Sequence, residues 1–142
     1  MLRTLGVMID CSRDAVYTVE TLKEYIKVLA AMGYNALLLY MEDVYELEGE
    51  PYFGYLRGKY TKNELREIDE FAKNSGIELI PCIQTLAHLG GITRWNAYKD
   101  FTDTGDILLA EDERTYILIE KMFAACASSF TSRRINIGMD EA

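Results

Sequence analysis

Two adjacent carboxylates, Asp140 and Glu141, follow an apolar-alternating segment, Arg134-Ile135-Asn136-Ile137, with Gly138 and Met139 between. Neighbouring residues on a strand point to opposite faces, but past the strand end the backbone can turn and bring both groups to one pocket. Like charges held close raise the pKa of one of them, which suits a protonated acid beside an ionised partner. Four further residues follow earlier apolar runs. Arg13 offers a fixed fork of donors to sugar hydroxyls or a carboxylate. His88, the only histidine, can shuttle a proton or donate to a substrate hydroxyl. Asp43 is placed to hold His88 or Glu141, and Trp95, the only tryptophan, offers a stacking face for a pyranose or packs its own loop down. Each also has a plain reading as a solvated or structural side chain. The run Pro51-Tyr52-Phe53-Gly54-Tyr55 reads as loop packing.

Something must bring these groups together. Leu5 to Ile9 is a short apolar run, a buried strand. From Thr18 to Met32, Leu22, Tyr25, Ile26, Leu29 and Met32 recur on one stripe of a helix that Gly33 ends. Ala36 to Tyr40 is apolar on both faces, as a covered parallel strand should be. Thr61-Lys62-Asn63-Glu64 is a capping box that opens a second helix, running to about Ser75. Ile77 to Ile83 is a third strand, in which Pro81, having no N–H, is expected near a strand end or bulge. A third helix spans Glu113 to about Ser128, and Arg134 to Ile137 is a fourth strand. Long loops, 41–60 and 84–109, follow the second and third strands.

The order β-α-β-α-β-α-β demands parallel strands with right-handed crossovers. It fits a doubly wound open sheet or a (β/α)8 barrel. No glycine-rich phosphate fingerprint follows the first strand, whereas polar residues follow every strand: Asp10 and Arg13, Glu42 and Asp43, Gln84 and His88, Asp140 and Glu141. Barrel active sites are assembled in that way, and a whole barrel takes about 250 residues. Residues 1–142 therefore read as one partial domain, the first half of a TIM barrel with strands 1–4 and helices 1–3.

A net charge of -8 argues against nucleic acid and anionic membrane as partners. Cys11, Cys82 and Cys126 are scattered and odd in number, so reduced core thiols in a cytoplasmic protein are expected. Neither a signal peptide nor a membrane-spanning run is evident. No metal-ligand spacing occurs, and neither metal nor cofactor is expected.

Ile9-Asp10-Cys11-Ser12-Arg13, Gln84-Thr85-Leu86-Ala87-His88 and Ile135-Asn136-Ile137-Gly138-Met139-Asp140-Glu141, in that order and spacing, resemble the successive motifs of glycoside hydrolase family 20, the β-N-acetylhexosaminidases. The likeness runs the length of the chain and is greatest to the divergent N-acetyl-β-D-glucosaminidases related to the streptococcal type. It implies a (β/α)8 barrel that removes terminal N-acetylglucosamine or N-acetylgalactosamine from glycans with retention, the 2-acetamido oxygen of the substrate acting as nucleophile. By motif, Glu141 is then the general acid/base and Asp140 orients and charge-stabilises the acetamido group. Arg13 holds the 3- and 4-hydroxyls, with His88, Asp43 and Trp95 around the sugar. Two positions depart from the pattern. Met139 stands where many members have a second glycine, and Tyr40-Met41-Glu42-Asp43 stands where many have a histidine-tryptophan-histidine run. The alternative is a non-catalytic half barrel that binds carbohydrate or self-associates. Uncovered sheet edges template pairing, so a homo-oligomer, most simply a two-fold dimer, is expected.

Overall fold

The computed structural model describes residues 3–13 and 15–142. Strands β1 (Gly6–Asp10), β2 (Ala36–Met41) and β3 (Glu78–Ile83) form a parallel sheet in the order β1-β2-β3. Helix α1 (Val19–Ala31) joins β1 to β2, and α2 (Lys62–Asn74) joins β2 to β3. A short helix α3 (Gly90–Thr93), a 3-10 turn (Lys99–Phe101) and the long helix α4 (Glu113–Ser129) follow. The strand order never reverses, so successive right-handed crossovers place α1 and α2 on one face of the sheet. A doubly wound sheet reverses its order to cover both faces; among the described residues this one does not.

The register pairs Leu37 with Val7 and Leu79, and Leu39 with Ile9 and Pro81. These odd-numbered positions face the helices, where Leu37, Leu39 and Leu79 pack with Leu22, Ile26, Leu65, Ile68 and Met122. Side-chain alternation aims Met8, Leu38 and Ile80 at the other face. Met8 there is 47% exposed.

Local signals explain where the helices begin and end. Thr18 caps α1 by accepting from the Thr21 N–H, and Gly33, at φ +86°, takes the left-handed position after it. Thr61 and Glu64 form the expected capping box at α2, a cap of about 1 kcal/mol. The loop after β2 is packed rather than open. Tyr45 bridges Tyr60 in parallel, and the buried rings of Tyr45 and Phe53 meet edge-on at 5.0 Å. Of the aromatic residues in the run 51–55, Phe53 is fully buried, while Tyr52 and Tyr55 remain exposed.

The structure departs from the sequence expectation at the fourth strand. Residues 134–137 make one parallel bridge, Asn136 to Cys82, and no ladder. Asn136 donates to Pro81 O at 2.9 Å and Ile83 donates to Asn136 O at 2.9 Å. The preceding bond of a parallel ladder would need an N–H on Pro81, which has none. On the other side, the Gly138 N–H is taken by Asn136 Oδ1 at 3.0 Å. Pro81 therefore lies inside β3, not near its end. It is tolerated because its missing donor faces the sparsely paired tail rather than β2.

All three thiols are buried and free. Burial pushes Cys11 and Cys82 up to about 11 and Cys126 up to about 12, so none is a thiolate nucleophile near neutrality. No helix of the described residues is long and apolar enough to cross a membrane.

Candidate active site

Polar side chains gather where β1, β2 and β3 end. Arg13 Nη1 donates to Asp10 Oδ2 at 2.6 Å, and its guanidinium lies 5.1 Å from the centre of the Tyr40 ring. Partial burial pushes the Asp10 carboxyl up. The N–H of Ser12 and the Arg13 guanidinium outweigh it and hold the group below its ordinary value. Arg13 remains 59% exposed, so most of its fork is free.

A hydrogen-bonded chain then crosses from β2 to the tail. The Tyr40 hydroxyl donates to Glu42 Oε1 at 3.1 Å, and Gln84 Nε2 donates to the Tyr40 hydroxyl and to Asp140 Oδ1, both at 3.2 Å. Burial and the Glu42 carboxylate push Tyr40 up to about 12, so it stays a donor. Burial also raises Glu42 against its hydrogen bond from Tyr40 and its arginine neighbours. Asp140 moves the other way. The Gln84 amide, then its own backbone N–H and then His88 hold its carboxyl below the ordinary value.

The tail docks against the end of β3. Thr85 Oγ1 donates to Ile137 O at 2.8 Å. Gly138 sits at φ +53°, and a Cβ there would lie 2.1 Å from Ile83 O and 2.7 Å from the Gln84 side chain. The glycine before the acid pair is thus a close approach as well as a turn. Beyond it, Asp140 Oδ2 and Glu141 Oε2 each lie 3.4 Å from His88 Nε2. Both acids do reach one place, as their adjacency suggested, with Asp140 64% and Glu141 79% exposed.

Asp43 does not join them. It is fully buried and accepts from Arg57 Nη1 at 2.5 Å, while Arg57 Nη2 donates to Ser12 O. Burial still raises the Asp43 carboxyl against the pull of Arg57. A Cβ at Gly91 would meet Asp43 Oδ2 at 2.3 Å, so the loop after β3 lies directly on this pair. The expectation that Asp43 holds His88 or Glu141 is corrected: its charge is matched within its own loop. Trp95 packs against the core, with ring centres 5.2 Å from Tyr55 and 5.8 Å from Tyr52 and the Arg94 guanidinium 4.9 Å from its own ring centre.

Arg13, Glu42, Arg57, His88, Trp95 and Asp106 line one open cleft of about 920 Å³. A second cavity of about 960 Å³, between residues 46–51 and α4, contains none of the strand-end acids. Sequence reasoning missed Tyr40, Arg57 and Asp106 as site residues. Tyr40 was absorbed into an apolar strand. Arg57 is the only arginine of the 41–60 loop, which was its one available signal. Among the described residues no cluster of three or more His, Cys, Asp or Glu side chains is disposed to hold a metal ion.

Gln84→Leu removes the amide that ties Asp140 to Tyr40 while keeping an apolar side chain of similar size. The Asp140 carboxyl should then titrate at higher pH than in the parent, as followed by carbon NMR. An unchanged titration would mean that the amide does not set its state.

Residues 5–142 match the family model described as glycosyl hydrolase family 20, catalytic domain. The chain belongs to this family. It is 28% identical over 129 residues to human hexosaminidase D, covering 87% of this chain and 26% of that protein. It is 32% identical over 126 residues to bovine hexosaminidase D, covering 84% and 36%. It therefore spans about a quarter to a third of the curated relatives. The family 20 β-N-acetylhexosaminidase of Streptomyces coelicolor A3(2) superimposes with a TM-score of 0.85 at 24% identity, over 96% of this chain and 33% of that one. The chitobiase of Flavobacterium johnsoniae does so with a TM-score of 0.84 at 25% identity, over 97% and 24%. The parallel strands and their helices are thus part of a family 20 barrel.

Proposed function

We propose that this chain carries the acid-bearing part of a β-N-acetylhexosaminidase site, which removes terminal non-reducing N-acetyl-β-hexosamine residues by a substrate-assisted, retaining route. The observation that carries the reading is the delivery of Asp140 and Glu141 together to His88, at the same end of the sheet as Arg13. The hexosaminidase names of the relatives support the substrate class.

The roles follow from the chemistry. The substrate's acetamido oxygen attacks the anomeric carbon, forming a new C–O bond as the glycosidic bond breaks. Glu141 gives its proton to the departing oxygen, so the leaving group departs as an alcohol. Asp140, kept ionised by Gln84, faces the acetamido N–H and the positive charge that develops on the oxazolinium. Water then adds at the anomeric carbon, its proton returns to Glu141, and the acetamido group is restored. Retention without an enzyme nucleophile departs from the usual two-carboxylate scheme. Arg13 has free donors for the ring hydroxyls.

Chromophore release from an aryl N-acetyl-β-glucosaminide, set against the matching aryl β-glucoside, tests this. Both the chain and a full-length catalytic domain containing it should be assayed. Turnover of the acetamido substrate alone is the expected result. Equal turnover of both would defeat the substrate-assisted route, and turnover of neither by the full-length domain would defeat the assignment.

A further inference from the structure

His88 stands in the left-handed region, at φ +58°. A non-glycine residue there costs about 1–2 kcal/mol and persists only where its surroundings hold it. Those surroundings are a small hairpin after the 3-10 turn. Thr102 bridges Leu108 in antiparallel fashion, Asp103 donates to Ile107 O at 2.8 Å, and Gly105 turns the chain at φ +55°. Two backbone hydrogen bonds clamp this hairpin to either side of His88: Leu108 N–H to Leu86 O at 2.8 Å and Leu89 N–H to Asp106 O at 3.0 Å. A Cβ at Gly90 would make an ordinary contact, 3.5 Å, with the Asp106 Cβ, so the hairpin tip packs directly on the loop that carries His88. The result is an imidazole with one nitrogen on each side of a divide. Nε2 faces Asp140 and Glu141, and Nδ1 faces Asp106 Oδ2 at 3.9 Å. Asp43, a fully buried acid nearby, accepts from Arg57 through Oδ1 and leaves its Oδ2 without a hydrogen-bond partner.

We propose that Asp106 is the positioning residue for His88: the hairpin tip presents a carboxylate to Nδ1 and so aims Nε2 at the acid pair. A gap of 3.9 Å is too long for a direct hydrogen bond, and a small turn of the half-exposed Asp106 side chain closes it. Fixing one ring nitrogen decides what the other can do. A nitrogen held this way lets His88 keep its edge toward Glu141 as that carboxyl gives and regains a proton. Only this catalytic consequence rests on the function proposed above; the orientation of the ring does not.

Because the chain has one histidine, nitrogen NMR of the imidazole reports this site alone. At about pH 8 an ordinary imidazole is neutral and carries its proton on one nitrogen or the other. Asp106→Leu should lower the ratio of the Nδ1–H to the Nε2–H form by at least about twofold, since the acceptor facing Nδ1 is gone. Asp106→Glu should restore it. Asp103→Asn, on the same hairpin, should leave it unchanged. Among the described residues the carboxylates within 4 Å of the ring nitrogens are those of Asp106, Asp140 and Glu141. Arg13, Glu42, Arg57 and Arg94 share the cleft. A ratio unchanged in Asp106→Leu, or changed equally by Asp103→Asn, overturns the proposal. If Asp106→Leu does not fold, the ratio in Asp106→Glu and Asp106→Asn decides it, the first matching the parent and the second falling below it. In an active full-length domain, Asp106→Leu should lower kcat with KM unchanged. A normal tautomer shift without turnover in the parent would count against the proposed function and not against this orientation.

Discussion

Arg57→Ala should destabilise the folded chain by about 3 kcal/mol, the low end of what removing one partner of a buried pair costs. Asp43 is fully buried, and the substitution removes the ion-pair partner of its carboxylate, leaving only the weaker pull of Arg94. It also frees Ser12 O and loosens the contact between the β1 end and the loop after β2. Arg57 is partly exposed, which places the loss at the low end. The loss should shrink relative to the parent as the pH falls. Burial raises the Asp43 carboxyl in the folded state, and without Arg57 the folded chain favours the proton still more. A group with a raised folded pKa contributes stability below its unfolded value and loses it as the pH rises through the folded one. Urea unfolding read from the fluorescence of Trp95, the single tryptophan, measures both effects. A change below about 1 kcal/mol, or one that grows toward acid pH, would show that the pair is not a strut. Arg57→Met with Asp43→Leu should recover most of the loss, because well-packed apolar side chains often replace a buried pair without cost.

Glu141→Gln in the full-length catalytic domain should lower kcat by roughly 10²- to 10⁴-fold, the usual contribution of a positioned general acid. The amide keeps the shape and polarity of the side chain, so KM should stay within a few-fold. The leaving group sharpens the test. A sugar alcohol is a poor leaving group and needs the proton, so its loss should sit at the high end. A nitrophenolate leaves without one, and its loss should sit at the low end. Equal losses for both would mean that Glu141 is not the acid. The site's construction explains why the position is sensitive. Glu141 itself has φ +60°, and the turn at Gly138 that leads to it leaves no room for a Cβ against Ile83 O.

Much of the scaffold was legible along the chain because its causes are local. The stripe Leu22, Ile26 and Leu29 and the Thr61–Glu64 capping box are patterns of adjacent turns, and both helices formed where those patterns lie. Pro81 shows the limit. Its missing donor was visible, but its effect depended on which neighbour that donor would face. It lies within β3, toward residues 134–137, and there it reduces the expected fourth strand to the single bridge at Asn136. The acid pair was legible as a candidate site, but the close approach that requires Gly138 was not.

The order in which chemistry-bearing residues leave the strands is written along the chain: Arg13, then Asp43, then His88, then Asp140 and Glu141. Connectivity alone puts parallel strand ends on one side. Which of those residues meet depends on how the loops pack. Asp43 had an arginine 14 positions ahead and a histidine 45 positions ahead, and spacing in an irregular loop does not rank them. The packed aromatic loop brought Arg57 to it, and the hairpin clamped around His88 brought Asp106 to that ring. Charge pairing depends on distance and burial, and in loops those are set by contacts remote in sequence.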